Sequence, residues 1–119
     1  NLGDVREKTV PKMTIVSKPL LKGMINTRTF IPHKCHQSIG VFGAISVATA
    51  CLLEGTPAHK IAVIPGGEKK VCSIEHPSGK MQVLVELRNK KIMSAAILRT
   101  ARKLFDGVVF PDDNSLKAT

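Results

Sequence analysis

One uncharged segment, residues 36–53, constrains the fold more than any other part of the chain. It contains no Asp, Glu, Lys or Arg and carries apolar residues on nearly every helical face, with Ser46 and Thr49 as small polar interruptions. A helix that is apolar all round is normally buried. The segment therefore predicts a buried central helix, capped by Ser38 or by the residue at position 35 or 36.

The remainder of the chain reads as short β-strands separated by turn signals such as Gly66-Gly67 and Asn89-Lys90. Residues 98–104 also have helix propensity, but the hairpin pattern before them and the Asp106-Gly107 turn favour a strand. The chain thus predicts an α+β fold in which a central buried helix is wrapped by about seven mostly antiparallel strands. The predicted strands cover residues 11–17, 24–30, 60–64, 70–75, 81–87, 92–104 and 108–110.

Charge and composition limit the classes of partner that this chain could bind. The formal net charge is +9 over 119 residues, which favours an anionic partner and fits one domain. The basic residues form no dense block, Trp and Tyr are missing, and no helix-turn-helix or RNP-like string occurs, so a nucleic-acid-binding module is disfavoured. No apolar run is long enough to span a bilayer. His33, Cys35 and His36 are close in sequence, but no second ligand pair accompanies them, so no metal site is expected.

The three cysteines, Cys35, Cys51 and Cys72, are odd in number and form no C-x-x-C pair. Such usage is typical of a reducing compartment, here the cytoplasm with a mitochondrion left open. The chain begins at Asn1 and soon enters a strand-like run, so we expect a fragment or a processed product. Residues 1–10 would be a disordered or linker start, 11–111 a C-terminal domain, and 112–119 a loose tail.

Several strings, in order along the chain, resemble the family of 2-methylaconitate isomerase (PrpF), aconitate Δ-isomerase and 4-oxalomesaconate tautomerase. Residues 75–80, E-H-P-S-G-K, are similar to a G-H-P-S-G segment of that family, and residues 98–107 to its R-T-A-R-x-L-x-x-G ending. The opening of the uncharged segment at residues 36–44 and the L-E-G-T string at 53–56 add to the resemblance, which covers residues 11–111. Phe42 departs from the usual Thr, and residues 31–35 replace a Ser-Met-Gly-like stretch, which leaves the exact substrate open.

The resemblance implies a diaminopimelate epimerase-like fold of two similar halves, of which this chain would be the C-terminal one. It further implies an isomerase without cofactor or metal that moves a proton and a double bond, or changes cis–trans geometry, on a small polycarboxylate such as aconitate. In that family the proton-transferring Lys and Cys belong to the N-terminal half, and no residue here matches them. The N-terminal half of the same protein would therefore be a partner, a homodimer stays open, and the fragment alone would be inactive.

Within this chain, the resemblance assigns substrate binding to the amino end of the central helix, where backbone N–H groups attract carboxylates. The residues there are His36, Gln37 and Ser38, and His36 is also a candidate for an acid or base role. Arg28 stands eight residues before His36, the spacing of a carboxylate-binding arginine in related epimerases, and could bind a carboxylate with two hydrogen bonds. Ser78 of the H-P-S-G turn is a further candidate.

Three other readings stay open. An amino-acid racemase or epimerase could use the same fold, and the chain could be a non-catalytic fragment. A small basic nucleic-acid-binding module is the third, and steep salt-dependent binding to random DNA would favour it.

Overall fold

A computed structural model describes residues 3–110 of the chain. Among them lie five strands and two helices, so the fold is α+β. The prediction of about seven strands is wrong for this part of the chain. In chain order the elements are β1 (Met13–Ser17), β2 (Ile25–Phe30), α1 (Val41–Leu52), α2 (Pro57–Ile61), β3 (Lys69–His76), β4 (Gly79–Arg88) and β5 (Lys91–Leu98).

The five strands form one sheet in sequential order, β1-β2-β3-β4-β5. Neighbouring strands are antiparallel except β2 and β3, which run parallel through only two register pairs, Ile25 with Ile74 and Asn26 with Glu75. A parallel pair needs a long crossover connection. Both helices lie in the chain between β2 and β3, and together they supply that crossover.

Turn residues explain the two tight hairpins. Gly79 has φ +144°, a conformation that favours glycine, and it lets the H-P-S-G segment turn directly from β3 into β4. Asn89 and Lys90 both have positive φ, as a two-residue hairpin turn between β4 and β5 requires. The strands predicted at residues 11–17, 24–30, 70–75 and 81–87 are confirmed within two residues at each end.

Helix α1 covers one face of the sheet. Its buried residues follow the i, i+3, i+4, i+7 spacing of a single helical face and pack on β3, β4 and β5. The opposite face is open, and Phe42 is 86% exposed. The prediction of all-round burial is therefore wrong for this chain, because strands cover the helix on one side only. The core consists of Met24, Ile25, Ile39, Ala44, Val47, Ala48, Cys51, Ala58, Cys72, Ile74, Met81, Val83 and Val85.

The predicted helix start at residues 35–38 is also wrong. Helix α1 begins at Val41 with Gly40 as its N-cap, and Ser38 makes no capping bond. The local reason is that the backbone N–H of Ser38 donates to the ring of His36, which holds residues 36–38 as a non-helical loop.

Residues 60–64 do not form the predicted strand, because they overlap α2. Thr56 caps this helix, its hydroxyl accepting a bond from the backbone N–H of His59 at 3.0 Å, and Pro57 occupies the first turn. A Thr-Pro pair at this position is a helix-start signal. The L-E-G-T string at residues 53–56, which is part of the family resemblance, thus leads directly into this helix.

The long strand predicted for residues 92–104 ends at Leu98, and no helix or strand follows in the described residues 99–110. The strand predicted at 108–110 is likewise not formed. The tail predicted at 112–119 lies outside the described residues. Within residues 3–110, no helix combines the length and hydropathy required to cross a membrane.

Candidate functional site

The amino end of α1 opens onto a pocket of about 660 Å³. One wall is the helix-facing side of β1 and β2, with Thr14 and Thr29 joined by a hydroxyl–hydroxyl hydrogen bond of 3.0 Å. The other walls come from His36, from the first turns of α1 and from the start of α2. Lys12 is the one lining residue in the described chain with a full charge. The pocket is thus largely apolar with a few polar groups, the usual character of a small-molecule site.

His36 lines this pocket and is held by two defined hydrogen bonds. Its backbone N–H donates to the carbonyl of Thr29 at 2.7 Å, which ties the loop to β2. Its Nδ1 accepts a bond from the backbone N–H of Ser38 at 2.9 Å. Because Nδ1 is an acceptor, the neutral ring carries its hydrogen on Nε2. His36 therefore offers an N–H donor, which suits binding a carboxylate.

The first turn of α1 supplies further donors. Gly40 makes no side-chain cap, and the first turn holds no acidic residue. The first intrahelical bond is from the Ala44 N–H to the Gly40 carbonyl at 2.8 Å. The N–H groups of Val41, Phe42 and Gly43 have no intrahelical acceptor, and the helix dipole places partial positive charge there. A carboxylate is the natural ligand for such an end.

Ser78 lies beside the loop at residues 36–38 and holds it through two hydrogen bonds. Its backbone N–H and its hydroxyl both donate to the carbonyl of Gln37, at 3.1 and 2.7 Å. The side chain of Gln37 is exposed, and Ser38 is half-buried. The structure thus gathers the four candidates Ser78, Gln37, Ser38 and His36 into one cluster. Their roles in binding a substrate stay predictions.

Arg28 is the candidate that the structure does not bring to the pocket. It alternates along β2 with Thr29, which lines the pocket, so Arg28 projects from the opposite face of the sheet. Its Nη1 donates to the Asn26 side-chain oxygen at 3.0 Å and to the Thr27 carbonyl at 2.8 Å. In this arrangement the guanidinium is bound to its own strand.

His76 was treated from sequence only as part of a turn. It is half-buried, with Ser38 Oγ 3.4 Å from its Nε2 and Ser78 Oγ 3.3 Å from its Nδ1. Burial lowers the pKa of His76, backbone hydrogen bonds with Gln37 and Lys80 oppose that shift, and the charge of His36 adds to it. The sequence signal for His76 is its position in the H-P-S-G string, which also contains the candidate Ser78.

Glu75 is a buried charged side chain whose role the sequence did not indicate. It is only 1% exposed, and its carboxylate accepts bonds from the backbone N–H groups of Leu20, Leu21 and Gly23 at 2.6–2.7 Å. Burial raises the pKa of Glu75, but these three donors together with Lys80 hold it below its usual value. Glu75 is therefore a charged structural anchor away from the pocket.

The cysteines divide into one exposed and two buried thiols. Burial, with a smaller contribution from Cys72, raises the pKa of Cys51 to about 12, and burial also raises the pKa of Cys72. Both are inert core residues at neutral pH. Cys35 lies next to His36, and its thiol contacts the carbonyl of that residue at 3.7 Å. Among the described residues, no three His, Cys, Asp or Glu side chains are grouped to hold a metal ion.

Comparison with known proteins gives a consistent set of relatives. Residues 3–112 match the family model described as PrpF protein. The chain is 57% identical over 111 residues to (4E)-oxalomesaconate Delta-isomerase of Novosphingobium sp. strain KA1, covering 92% of this chain and 31% of that protein. It is 54% identical over 109 residues to 4-oxalomesaconate tautomerase of Pseudomonas putida KT2440, covering 92% of this chain and 30% of that protein.

Among solved structures, the crystal structure of methylitaconate-delta-isomerase superimposes with a TM-score of 0.74 at 19% identity. The match covers 97% of this chain and 33% of that one, and it shows a shared fold. The chain spans about three-tenths of the length of the curated relatives it matches. On the family model and on these relatives, the chain belongs to the PrpF family.

Proposed function

We propose that this chain forms one wall of the active site of a cofactor-independent isomerase or tautomerase. The reaction would shift a proton and a double bond, or change cis–trans geometry, on an aconitate-like polycarboxylate. The observation that carries the proposal is the meeting of two sets of donors at one pocket: the uncapped amino end of α1 and the Nε2–H of His36.

The chemistry of these donors fits a polycarboxylate. Removal of a proton from the carbon next to a carboxylate places negative charge on the carboxylate oxygens as the double bond shifts. Fixed N–H donors at those oxygens stabilise the charge where it develops. In this mechanism His36 and the first turn of α1 bind and orient a carboxylate, and Lys12 adds positive charge at the pocket wall.

The names of the relatives support the same class of reaction. Two of them are named for isomerising or tautomerising oxalomesaconate, and the structural neighbour for isomerising methylitaconate. Each of these compounds carries more than one carboxylate and a carbon–carbon double bond. We extend that substrate class to the protein that contains this chain.

A second domain would complete the site. We propose that residues 11–111 are the C-terminal domain of a diaminopimelate epimerase-like fold, and that the N-terminal half supplies the Lys and Cys that move the proton. The exposed apolar side chains near the pocket, Val41 and Phe42, support a partner on this side. A homodimer and a reducing compartment, the latter supported by three free cysteines, belong to the same proposal.

The experiment is an ultraviolet assay of the complete gene product with cis-aconitate, trans-aconitate and methylaconitate, before and after treatment with a chelator. We expect turnover of at least one of them, unchanged by the chelator. His36→Ala should lower kcat/KM about 100-fold, because it removes a fixed donor. His33→Ala, an exposed histidine three residues earlier, is the matched control and should change kcat/KM less than twofold.

Three results would contradict the proposal. Racemisation of an amino acid without turnover of any polycarboxylate would favour an epimerase on this fold. Absence of every such activity, in a product that folds, would favour a non-catalytic role. Tight binding of random duplex DNA with a steep salt dependence would favour nucleic-acid binding.

A further inference from the structure

The side chain of His76 lies between two serines. Ser38 belongs to the loop at residues 36–38, and Ser78 contacts that loop. Ser38 Oγ lies 3.4 Å from Nε2 of the ring, and Ser78 Oγ lies 3.3 Å from Nδ1. Ser78 Oγ also donates to the carbonyl of Gln37 at 2.7 Å. The H-P-S-G turn therefore contacts the loop at two points, one through Ser78 and one through His76 and Ser38.

The donor and acceptor of each hydrogen bond between Ser78, His76 and Ser38 follow from the number of hydrogens that these side chains carry. A serine hydroxyl has one hydrogen to donate, and Ser78 uses it on the carbonyl of Gln37. Ser78 Oγ must then accept from Nδ1–H of His76. The neutral ring has its single hydrogen on Nδ1, so Nε2 is the acceptor and Ser38 Oγ is the donor.

Ser38 also determines the tautomer of His36. While its hydroxyl is directed at His76, its backbone N–H donates to Nδ1 of His36 at 2.9 Å. That second bond is the one that leaves the hydrogen of His36 on Nε2. The two histidines therefore have opposite tautomers, linked through one serine.

We propose that His76 is a positioning residue: by bridging Ser38 and Ser78 it fixes the 36–38 loop, and thereby keeps His36 in the tautomer that presents Nε2–H to the pocket. The role of that donor toward a carboxylate rests on the function proposed above. The ordering of the loop and the tautomer does not, and it can be measured on the chain without any substrate.

Burial and the charge of His36 favour the neutral form of His76, while backbone hydrogen bonds with Gln37 and Lys80 oppose them. Lys80 on β4 and Arg99 after β5 line a pocket together with His76, and no carboxylate is among the residues that line it. Protonation at Nε2 would place a donor against the hydroxyl of Ser38, which would have to reverse. Acidification should therefore reverse the bond between them, so that Nε2–H of His76 donates and Ser38 Oγ accepts.

The test is the tautomer state of His36, read from ring nitrogen and carbon chemical shifts by NMR on the isolated chain at pH 7.5. In the unaltered chain we expect His36 as Nε2–H and His76 as Nδ1–H. His76→Phe keeps an aromatic ring but removes both nitrogens, and His36 should become a mixture of tautomers with faster amide exchange at residues 36–38. His33→Phe, an exposed matched control, should leave His36 unchanged.

Two further variants keep the proposal falsifiable if His76→Phe does not fold. Ser38→Ala removes the hydroxyl while keeping the backbone N–H, and it should give the same loss of a single His36 tautomer. In the complete gene product, Ser38→Ala and His76→Gln should each lower kcat/KM about tenfold, and the double variant should lower it no further, since both break one link.

The outcomes separate the two proposals. A single Nε2–H tautomer of His36 in His76→Phe or in Ser38→Ala would overturn the positioning role, whatever the enzyme does. A mixed tautomer in a protein that turns over no polycarboxylate would support the positioning role and contradict the proposed function. A pH profile of kcat/KM that falls toward acid in the unaltered protein, but is flattened in His76→Gln, would also support it.

Discussion

At the scale of single residues, Glu75 is held by a complete set of backbone donors. Its two carboxylate oxygens accept three N–H bonds from the segment that joins β1 to β2. Gly23 is one of these donors, and it lies so close that a Cβ built on it would be 2.6 Å from Cγ of Glu75 and 2.9 Å from the carbonyl oxygen of Ser73. The glycine is required here by close approach.

Gly23→Ala should therefore destabilise the chain by about 2 kcal/mol, since the carboxylate or the strand backbone has to shift to admit the methyl group. The free energy of unfolding from urea titration measures the effect. Gly66→Ala is the matched control, because a Cβ there meets nothing within 4 Å, and it should change the free energy of unfolding by less than about 0.5 kcal/mol. Equal stabilities for the two variants would contradict the close contact.

At the scale of elements, α1 is stabilised along its buried face but not at its amino end. Its buried face anchors it on the sheet, yet its amino end has neither a side-chain cap nor an acidic residue. An Asp, Asn or Ser at Gly40 would normally stabilise the helix. A Cβ at Gly40 meets nothing within 4 Å, so packing does not demand glycine there. The uncapped end is consistent with donors kept for an anionic ligand.

Gly40→Asp should therefore raise the stability of the chain and lower its affinity for an anion. A cap and a charge at the positive end of the dipole together contribute about 1 kcal/mol to the free energy of unfolding. The same charge should weaken the binding of trans-aconitate to the complete gene product at least about tenfold by repulsion.

Gly40→Asn is the control for this pair of effects, because it caps without charge. It should raise stability by a few tenths of a kcal/mol and weaken binding less than Gly40→Asp does. Calorimetric titration and thermal unfolding read the two quantities. Unaltered affinity in Gly40→Asp would mean that the substrate does not bind at this helix end.

At the scale of the whole molecule, the sheet has two parts that meet along β2 and β3. Only two register pairs join these strands. Glu75 strengthens the junction, since its carboxylate holds the β1–β2 connection and its carbonyl accepts the Thr27 hydroxyl at 2.6 Å. The stability of this junction therefore depends on the charge of one side chain.

The pKa of Glu75 is lower in the folded chain than its usual value, so its stabilisation is present above about pH 4.5 and is lost as pH falls through the lowered folded value. Glu75→Gln should cost about 2 kcal/mol at pH 7, because three backbone donors lose a charged acceptor. The difference from the unaltered chain should shrink below pH 4.5. Urea unfolding from pH 3 to pH 7 measures it, and a difference that is constant with pH would contradict the charged anchor.

His76 contributes with the same sign as Glu75, but at higher pH. Its folded-state pKa is below that of a free histidine, so the unfolded chain binds protons first, and stability falls as pH drops below about 6.5. The two groups thus act in separate pH ranges of one acid-unfolding curve.

Four strands and the tight turns were predicted from signals that are local to a few residues. Strands with period-two alternation, the Asn89-Lys90 turn and the glycine in the H-P-S-G turn are properties of a few neighbouring residues. The clustering of His36, Gln37, Ser38 and Ser78 followed from the family resemblance. The position of Arg28 away from the pocket did not follow from the sequence, because which face of β2 it occupies depends on the strand register.

What the amino-acid order determined by itself was the central helix, the strands with alternating patterns and their turns, and the family to which the chain belongs, because propensity, turns and motifs are local. Tertiary structure decided how many sides of α1 are covered, where that helix begins, and that Glu75 and His76 are an anchor and a link. The anchor and the link depend on hydrogen bonds between residues about 40 to 55 positions apart, such as Ser38 with His76 and Leu20 with Glu75. Only the folded backbone brings those donors and acceptors within bonding distance.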